Sequence, residues 1–402
     1  MMIDRRLHVP KNGRSVRQVA DEPSPPVVFV DTTTTFGDLL LRRIDWMQLL
    51  TLCAKGEIRL VVPPVVIRES VRHWKRQAGQ AVKNANDEIR KLTNSFGLDA
   101  GQGPSADLID VGAHEKYLVD RLASVGAELP GLPTSATVEK LLDRDLRERK
   151  PFATSGKGFR DAINWETILE FLDDEAPVGK LFWVSKNSED FGEGNGRLHS
   201  DLIGELDDPE GVILVPSITS LLQRPEFTPL IGGLAASTEE LEEYLATAGV
   251  DVTSSSTHEF IRGALVHAAE RLTGEMVEDP YSAHETDGMF GELDLPGEVT
   301  DMTIEHVEAD PITVQWQVYE SFDATTLLVG ATIEARLFIE GFANKADALH
   351  ADTFEVREWD WNDHVSHVAF TREAVLSFRL RVEEGVGVDD LEFESAALPT
   401  VG

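Results

Sequence analysis

The chain has 402 residues, of which 42% are hydrophobic and 27% charged, a composition typical of a folded protein with two or three domains. Its longest apolar run covers residues 61–67, far short of the ~20 residues that span a bilayer, and the N-terminus lacks the apolar core of a secretory signal. The single cysteine, Cys53, excludes an internal disulfide, so we expect a soluble, cytoplasmic protein without a membrane partner.

The net charge of −34 is unevenly distributed along the chain. Residues 231–402 contain 36 acidic and 8 basic residues, a charge of −28, which leaves −6 for residues 1–230. Because like charges repel over about a Debye length, the acidic C-terminal part is unsuited to nucleic acid. The N-terminal part remains open to such a partner.

The N-terminal half alternates between short apolar strands and helices. The pattern predicts, in chain order, a strand at Val27–Val30, a helix at 43–55, a strand at Ile58–Val62, a long helix from Pro64 to about Leu92, helical segments to about Lys150, a helix at Phe159–Leu172, a strand at Leu181–Ser185, a short helix near 198–206 and a strand at Val212–Val215. Continuous apolar strands separated by helices are typical of a parallel sheet covered on both faces.

A different pattern begins after about residue 225. Two amphipathic helices are predicted at 237–248 and 257–273, followed by a Gly-, Pro- and Asp-rich linker at 279–297. From about 298 apolar residues alternate with a period of two, which favours an antiparallel sheet. The predicted organisation is a basic leader at 1–25, an α/β domain at 26–225, a helical connector and linker at 226–295, and an acidic, mostly antiparallel β domain at 296–402.

Four acidic residues are expected at one edge of the parallel sheet. Asp31 follows the first strand, Asp190 follows the strand ending at Ser185, and Glu69 and Asp161 lie in the first turns of helices that start from this edge. Grouped carboxylates raise one another's pKa, and a hard cation such as Mg²⁺ or Mn²⁺ relieves the repulsion. Such a site suits phosphodiester hydrolysis. Each acid alone is better explained as a helix cap, so only the set favours a metal site.

Four segments resemble the PIN-like nuclease family: VVFVDTTTTF, PPVVIRESVRHW, GFRDAINWETILEF and LFWVSKNSEDFGEGNGRLHSDL. The resemblance covers about residues 25–220 and is strongest to a large bacterial branch formerly described as a domain of unknown function. It implies a three-layer α/β/α fold with a central parallel sheet, and a Mg²⁺- or Mn²⁺-dependent endoribonuclease of the kind that serves as a toxin or defence effector. The family pattern assigns catalysis and metal binding to Asp31, Glu69, Asp161 and Asp190, and support to Thr32 and Asn187.

Basic residues flank these acids. Residues 68–91 contain seven Lys and Arg against three acids, and residues 144–160 contain six against two. Such runs either follow a phosphate backbone or form solvated helix faces. We predict nucleic-acid contacts from Arg68, Arg72, Lys75, Arg76, Lys157 and Arg160. The glycine-rich segment 153–158 lacks the full P-loop pattern and is interpreted as a loop.

Three functions stay open at this point. The first is a metal-dependent endoribonuclease, the second a catalytically silent PIN-like scaffold that binds RNA or a protein, and the third a structure-specific nuclease acting on DNA. The stretch between Glu69 and Asp161 is longer than in compact PIN toxins, which leaves the substrate class open. The acidic β domain has no recognisable chemistry, and three roles stay open for it: to shield the basic face of the N-terminal domain, to contact a protein partner, or to self-associate through its sheet edges.

Overall fold

The computed structural model describes residues 24–152, 157–174, 180–193, 197–250, 254–277, 289–290, 293–323, 325–349 and 353–399. Nearly all of the predicted basic leader, and most of the segment 153–158 and of the linker 279–297, lie outside these residues. Among the helices that are described, none combines the length and apolar character needed to cross a bilayer.

The elements follow the predicted order closely. The strands are β1 (Val27–Val30), β2 (Arg59–Val61), β3 (Leu181–Val184), β4 (Val212–Val215), β5 (Val299–Ala309), β6 (Gln315–Glu320), β7 (Thr326–Asn344), β8 (Glu355–Glu358), β9 (Val365–Glu383) and β10 (Gly387–Ala397). The helices are α1 (Ile44–Ala54), α2 (Pro64–Phe96), α3 (Val111–Ser124), α4 (Val138–Leu146), α5 (Phe159–Asp174), α6 (Ser188–Phe191), α7 (Ser200–Ile203), α8 (Ile218–Leu222), α9 (Thr228–Gly232), α10 (Thr238–Thr247), α11 (Ser254–Glu270) and α12 (Lys345–Ala348).

The first four strands form one parallel sheet in the order β2-β1-β3-β4. Side chains alternate between the two faces of each strand, and both faces are buried. On one face Val28 packs in a core with Trp46 of α1, whereas on the other Phe29 and Trp183 pack with Trp165 of α5. The sheet therefore lies between two helical layers, which confirms the predicted α/β class.

Helix α2 is unusually long, with 33 residues. Pro64 occupies its first turn, where the missing N–H costs nothing, and Gly97 ends it in the left-handed conformation at φ 68°. Its buried residues all lie between Val65 and His73. Only the first turns of α2 therefore belong to the core, and these turns carry Glu69.

The C-terminal strands form an antiparallel sheet, also as predicted. Its main path is β10-β9-β7-β5, with β6 paired to β7 and β8 paired to β9. Strands β7 and β9 are each 19 residues long and pair along their whole length. The apolar faces of α10 and α11, including Leu245 and Leu265, share a core with this sheet.

Strand β6 of the antiparallel sheet pairs with the segment that follows α9, and its side chains pack on the core of the parallel sheet. The amide of Glu320 on β6 donates to the carbonyl of Leu234 at 2.9 Å, and the amide of Ala236 donates to the carbonyl of Val318 at 3.0 Å. Tyr319 and Phe322 pack against the core of the parallel sheet. The contact between the halves is therefore partly apolar and partly strand-like.

Candidate active site

Asp31 lies at the centre of the candidate site, directly after β1. Its amide donates to the carbonyl of Val184 at 2.9 Å, which places it at the carboxyl end of the sheet, and only 3% of the residue is exposed. Its carboxylate accepts hydrogen bonds from Asn164 Nδ2 at 3.1 Å, Ser185 Oγ at 2.9 Å and Thr33 Oγ1 at 3.1 Å. Burial raises the pKa of Asp31, although the hydrogen bonds from Ser185 and Thr33 act in the opposite direction.

Asp161, in the first turn of α5, is brought close to two other predicted acids. Burial is the largest cause that raises its pKa, to about 7, and the negative charges of Asp31 and Asp190 add to the effect. The positive charge of Arg160 offsets only part of it. Because charges interact appreciably only over short distances, this coupling identifies Asp31, Asp161 and Asp190 as one electrostatic group.

Asp190 is held by the loop that follows β3. Asn187 Nδ2 donates to its Oδ2 at 2.7 Å, and the amide of Asn187 donates to Ser185 Oγ at 3.1 Å. Lys150 Nζ lies 4.0 Å from Asp190 Oδ1. The loops after β1 and β3 are thus connected through Ser185, which contacts Asp31 on one side and the Asn187 backbone on the other.

Glu69 occupies a different position from the three aspartates. Its Oε2 accepts a hydrogen bond from Thr32 Oγ1 at 2.8 Å, and its Oε1 is paired with the guanidinium of Arg160. Glu69 therefore contacts Thr32, which follows Asp31 in the sequence, and Arg160, which precedes Asp161. Within the described part of the chain, no group of three or more His, Cys, Asp or Glu side chains is already arranged as metal ligands.

The donor set nevertheless fits a hard divalent cation. The charges of Asp31 and Asp190 both act on Asp161, and the Oδ1 atom of Asn164 is buried without a hydrogen-bond partner. Oxygen donors of this kind suit Mg²⁺ or Mn²⁺, and a cation would remove the repulsion that raises the pKa of Asp161. A buried carbonyl oxygen without a partner is uncommon in folded proteins, and this one belongs to the side chain that hydrogen-bonds Asp31.

The predicted nucleic-acid contacts lie on the helices that carry these acids. Arg68, Arg72, Lys75 and Arg76 are exposed and follow helical spacing along one side of α2. Lys157 and Arg160 are exposed at the start of α5. Of these six residues, Arg160 is paired with Glu69.

Comparison with known proteins identifies this part of the chain. The family model described as the PIN domain matches residues 28–191. This segment is a PIN domain. The segment contains all but the first residue of β1, the parallel neighbours β2 and β3 and all four predicted acids, and the resemblance seen in the sequence is confirmed. PIN domains are in general metal-dependent nucleases, so the fold is of a nuclease type. No match was found among curated proteins or solved structures.

Sequence reasoning missed Asn164 and Ser185, whose side chains hydrogen-bond Asp31. Asn164 lies one helical turn after Asp161 and on the same side of α5, so its spacing was a usable signal. Ser185 ends the apolar run of β3, and the same edge-of-sheet argument that selected Asp31 applies to it. Both were overlooked because neutral side chains lack the charge that drew attention to the acids.

Proposed function

We propose that the PIN domain is a divalent-metal-dependent endonuclease whose substrate is RNA. Asp31, Asp161 and Asp190 would hold Mg²⁺ or Mn²⁺, with Asn164 Oδ1 as a neutral oxygen donor. The observation that carries the proposal is the burial of Asp161 beside the charges of Asp31 and Asp190, which together raise its pKa to about 7. Carboxylates that repel one another at the edge of a parallel sheet are what a cation site requires.

Different residues of the chain orient the acids and bind the substrate. Ser185 and Asn187 orient Asp31 and Asp190, respectively, by hydrogen bonds of 2.9 and 2.7 Å. The exposed basic residues on α2 and at the start of α5 bind phosphates and align the RNA backbone with the acids. When bound, the metal activates a water and neutralises charge on the phosphate.

Glu69 is the fourth residue of the predicted ligand set, and it differs from the aspartates because its carboxylate is paired with an arginine. Its carboxylate contacts both Thr32 and Arg160. Binding of a cation by Glu69 would therefore replace the Arg160 guanidinium with the metal. Release of Arg160 in that exchange would leave a positive charge at the rim of the site, where a substrate phosphate would approach. We therefore propose Glu69 as the ligand that links metal binding to substrate contact.

The test compares the full chain with two variants. Purified protein with Mn²⁺ is incubated with labelled RNA, single-stranded DNA and branched DNA. We expect RNA cleavage, and we expect Asp31→Asn to lower the rate by more than about a hundredfold, the upper end for losing even an outer-shell partner of a metal. Asp87→Asn, an exposed carboxylate on α2, is the matched control and should cut like the wild type. Equal cleavage by Asp31→Asn would overturn the metal assignment, and preferential cleavage of branched DNA would reassign the substrate.

One observation favours a second candidate, a silent scaffold that binds RNA without cutting it. The Glu69–Arg160 pair neutralises an acid of the predicted set. On that alternative the full chain binds RNA in a salt-dependent way, and neither Mn²⁺ nor Arg160→Gln induces cleavage. Cleavage that disappears in Asp31→Asn excludes it.

A further inference from the structure

Lys150 lies beside the acids of the candidate site, although it is not among the nucleic-acid contacts that the sequence predicts. Its Nζ is 4.0 Å from Oδ1 of Asp190, and 26% of the lysine side chain is exposed. Asn187 Nδ2 donates to the other carboxylate oxygen of Asp190, Oδ2, at 2.7 Å. The ammonium group of Lys150 is therefore both close to an aspartate of the site and accessible to a substrate.

The backbone of Lys150 is fixed from two directions. Its amide donates to Asp201 Oδ2 at 3.0 Å, and its carbonyl accepts a hydrogen bond from the guanidinium of Arg144. Arg144 is only 4% exposed and is paired with Glu205, whose carboxylate also accepts a hydrogen bond from Trp165 Nε1 at 2.8 Å. Because these partners lie on or next to α4, α5 and α7, the segment that carries Lys150 is held against the helices around the acids.

The contact between Lys150 and Asp190 is an ion pair without a direct hydrogen bond, since 4.0 Å exceeds the usual N–H···O distance. Beside a cation held by the aspartates, the ammonium is repelled by like charge, and this repulsion offsets its attraction to Asp190. A phosphate oxygen is then the favourable acceptor, because an ammonium group donates up to three charge-assisted hydrogen bonds. The position of Lys150 therefore suits a contact with the phosphate that is cleaved.

We propose that Lys150 is a catalytic residue whose ammonium binds a non-bridging oxygen of the scissile phosphate and stabilises the negative charge that develops there. This assignment rests on the proposed nuclease function. In the hydrolysis, water forms the new bond to phosphorus, the bond to the leaving ribose oxygen breaks, and the proton that water loses reaches the leaving oxygen through solvent. Lys150 keeps its protons throughout, so its contribution is electrostatic.

The test measures kcat and KM of the full chain on labelled RNA at saturating Mn²⁺. We expect Lys150→Met to lower kcat by about a hundredfold, as for the loss of one donor to a developing charge. KM should change by less than about threefold, since a contact made in the transition state acts on kcat. Lys150→Arg keeps the charge and should recover about tenfold of the loss. Lys116→Met, which removes an exposed lysine of α3, is the matched control and should equal the wild type.

A second measurement does not depend on activity. Calorimetry without RNA compares Mn²⁺ binding by the wild type and Lys150→Met. Because the variant lacks a positive charge beside Asp190, it should bind Mn²⁺ more tightly by about fivefold, the factor for unit charges about 4 Å apart in water. Melting curves in EDTA show whether each variant is folded at the assay temperature, and Lys150→Gln is made in parallel so that the test does not depend on one substitution.

The outcomes separate this proposal from the nuclease function. If the wild type cuts RNA and Asp31→Asn does not, but Lys150→Met and Lys150→Gln keep the wild-type kcat, the assignment of Lys150 is overturned and the nuclease function stands. A change in KM alone would also overturn it, because Lys150 would then only help to bind the RNA backbone. Unchanged or weaker Mn²⁺ binding by Lys150→Met would refute the placement of its charge beside the site. A wild type that does not cut RNA would refute the nuclease function, and the catalytic role of Lys150 with it.

Discussion

Replacing Asp161 by asparagine should stabilise the metal-free protein at neutral and alkaline pH. The pKa of Asp161 is about 7 in the folded chain, against 3.8 for an ordinary aspartate. The folded state therefore binds a proton more tightly than the unfolded state does, and the stability that this provides is complete below pH 3.8 and is lost as the pH rises through 7. At 1.36 kcal/mol per pH unit, the loss is at most ~4 kcal/mol.

The assay is urea unfolding of the full chain in EDTA between pH 5 and pH 8. Asp161→Asn cannot ionise, so its free energy of unfolding should exceed that of the wild type at pH 8, and the difference should shrink towards pH 5. Glu394 also has a pKa raised to about 7, by burial first, but it is present in both proteins and cancels from the difference. Added Mn²⁺ should reverse the order, since a cation stabilises only a protein that can bind it.

A variant that is less stable than the wild type at pH 8, or a difference that does not change with pH, would refute this reasoning. Either result would mean that Asp161 ionises in the folded protein without a cost in free energy and that the three aspartates do not form one electrostatic group. Retained stabilisation of Asp161→Asn by Mn²⁺, equal to that of the wild type, would separately remove Asp161 from the ligand set.

Three further predictions concern the surroundings of the acids. Arg160→Gln should free the Glu69 carboxylate, so the variant should bind Mn²⁺ more tightly and RNA more weakly than the wild type. Calorimetry measures Mn²⁺ binding and filter binding measures RNA binding. Weaker Mn²⁺ binding would contradict the proposal that a cation replaces Arg160 at Glu69. Gly158→Ala should lower the melting temperature, because Gly158 has φ +119° and an added Cβ would lie 2.4 Å from a backbone carbonyl oxygen; an unchanged melting temperature would contradict this. Replacing Arg72 and Lys75 by glutamine should reduce the magnitude of the slope of log affinity for single-stranded RNA against log salt by about 1.4, and an unchanged slope would show that neither contacts phosphate.

The parallel sheet was predictable because its strands are continuous apolar runs. Each position from Val27 to Val30 is buried, and the residue that ends the run must lie at the edge where ligands bind. The same reasoning placed Asp190 near Asp31 although they are far apart in the chain. Local apolar pattern and the geometry of parallel strands were sufficient for this part of the site.

The pairing of Glu69 with Arg160 was not predictable by those means. The two residues are 91 positions apart, and each was selected for a different partner, a cation and a phosphate. Charge pattern shows which residues can attract one another, but the choice among partners depends on how α2 and α5 are placed in three dimensions. Likewise, the amphipathic pattern of α10 predicts a buried face without indicating that the antiparallel sheet is what covers it.

The contacts that β6 and the residues after it make with the core of the parallel sheet have a practical consequence for experiments on the isolated PIN domain. Tyr319 and Phe322 pack on its core, and Glu320 hydrogen-bonds the carbonyl of Leu234. A protein truncated near residue 225 would lose Leu234, Tyr319 and Phe322 and would expose the apolar surface on which they pack. Such a fragment is prone to aggregate, so inactivity of the fragment would say nothing about the acids.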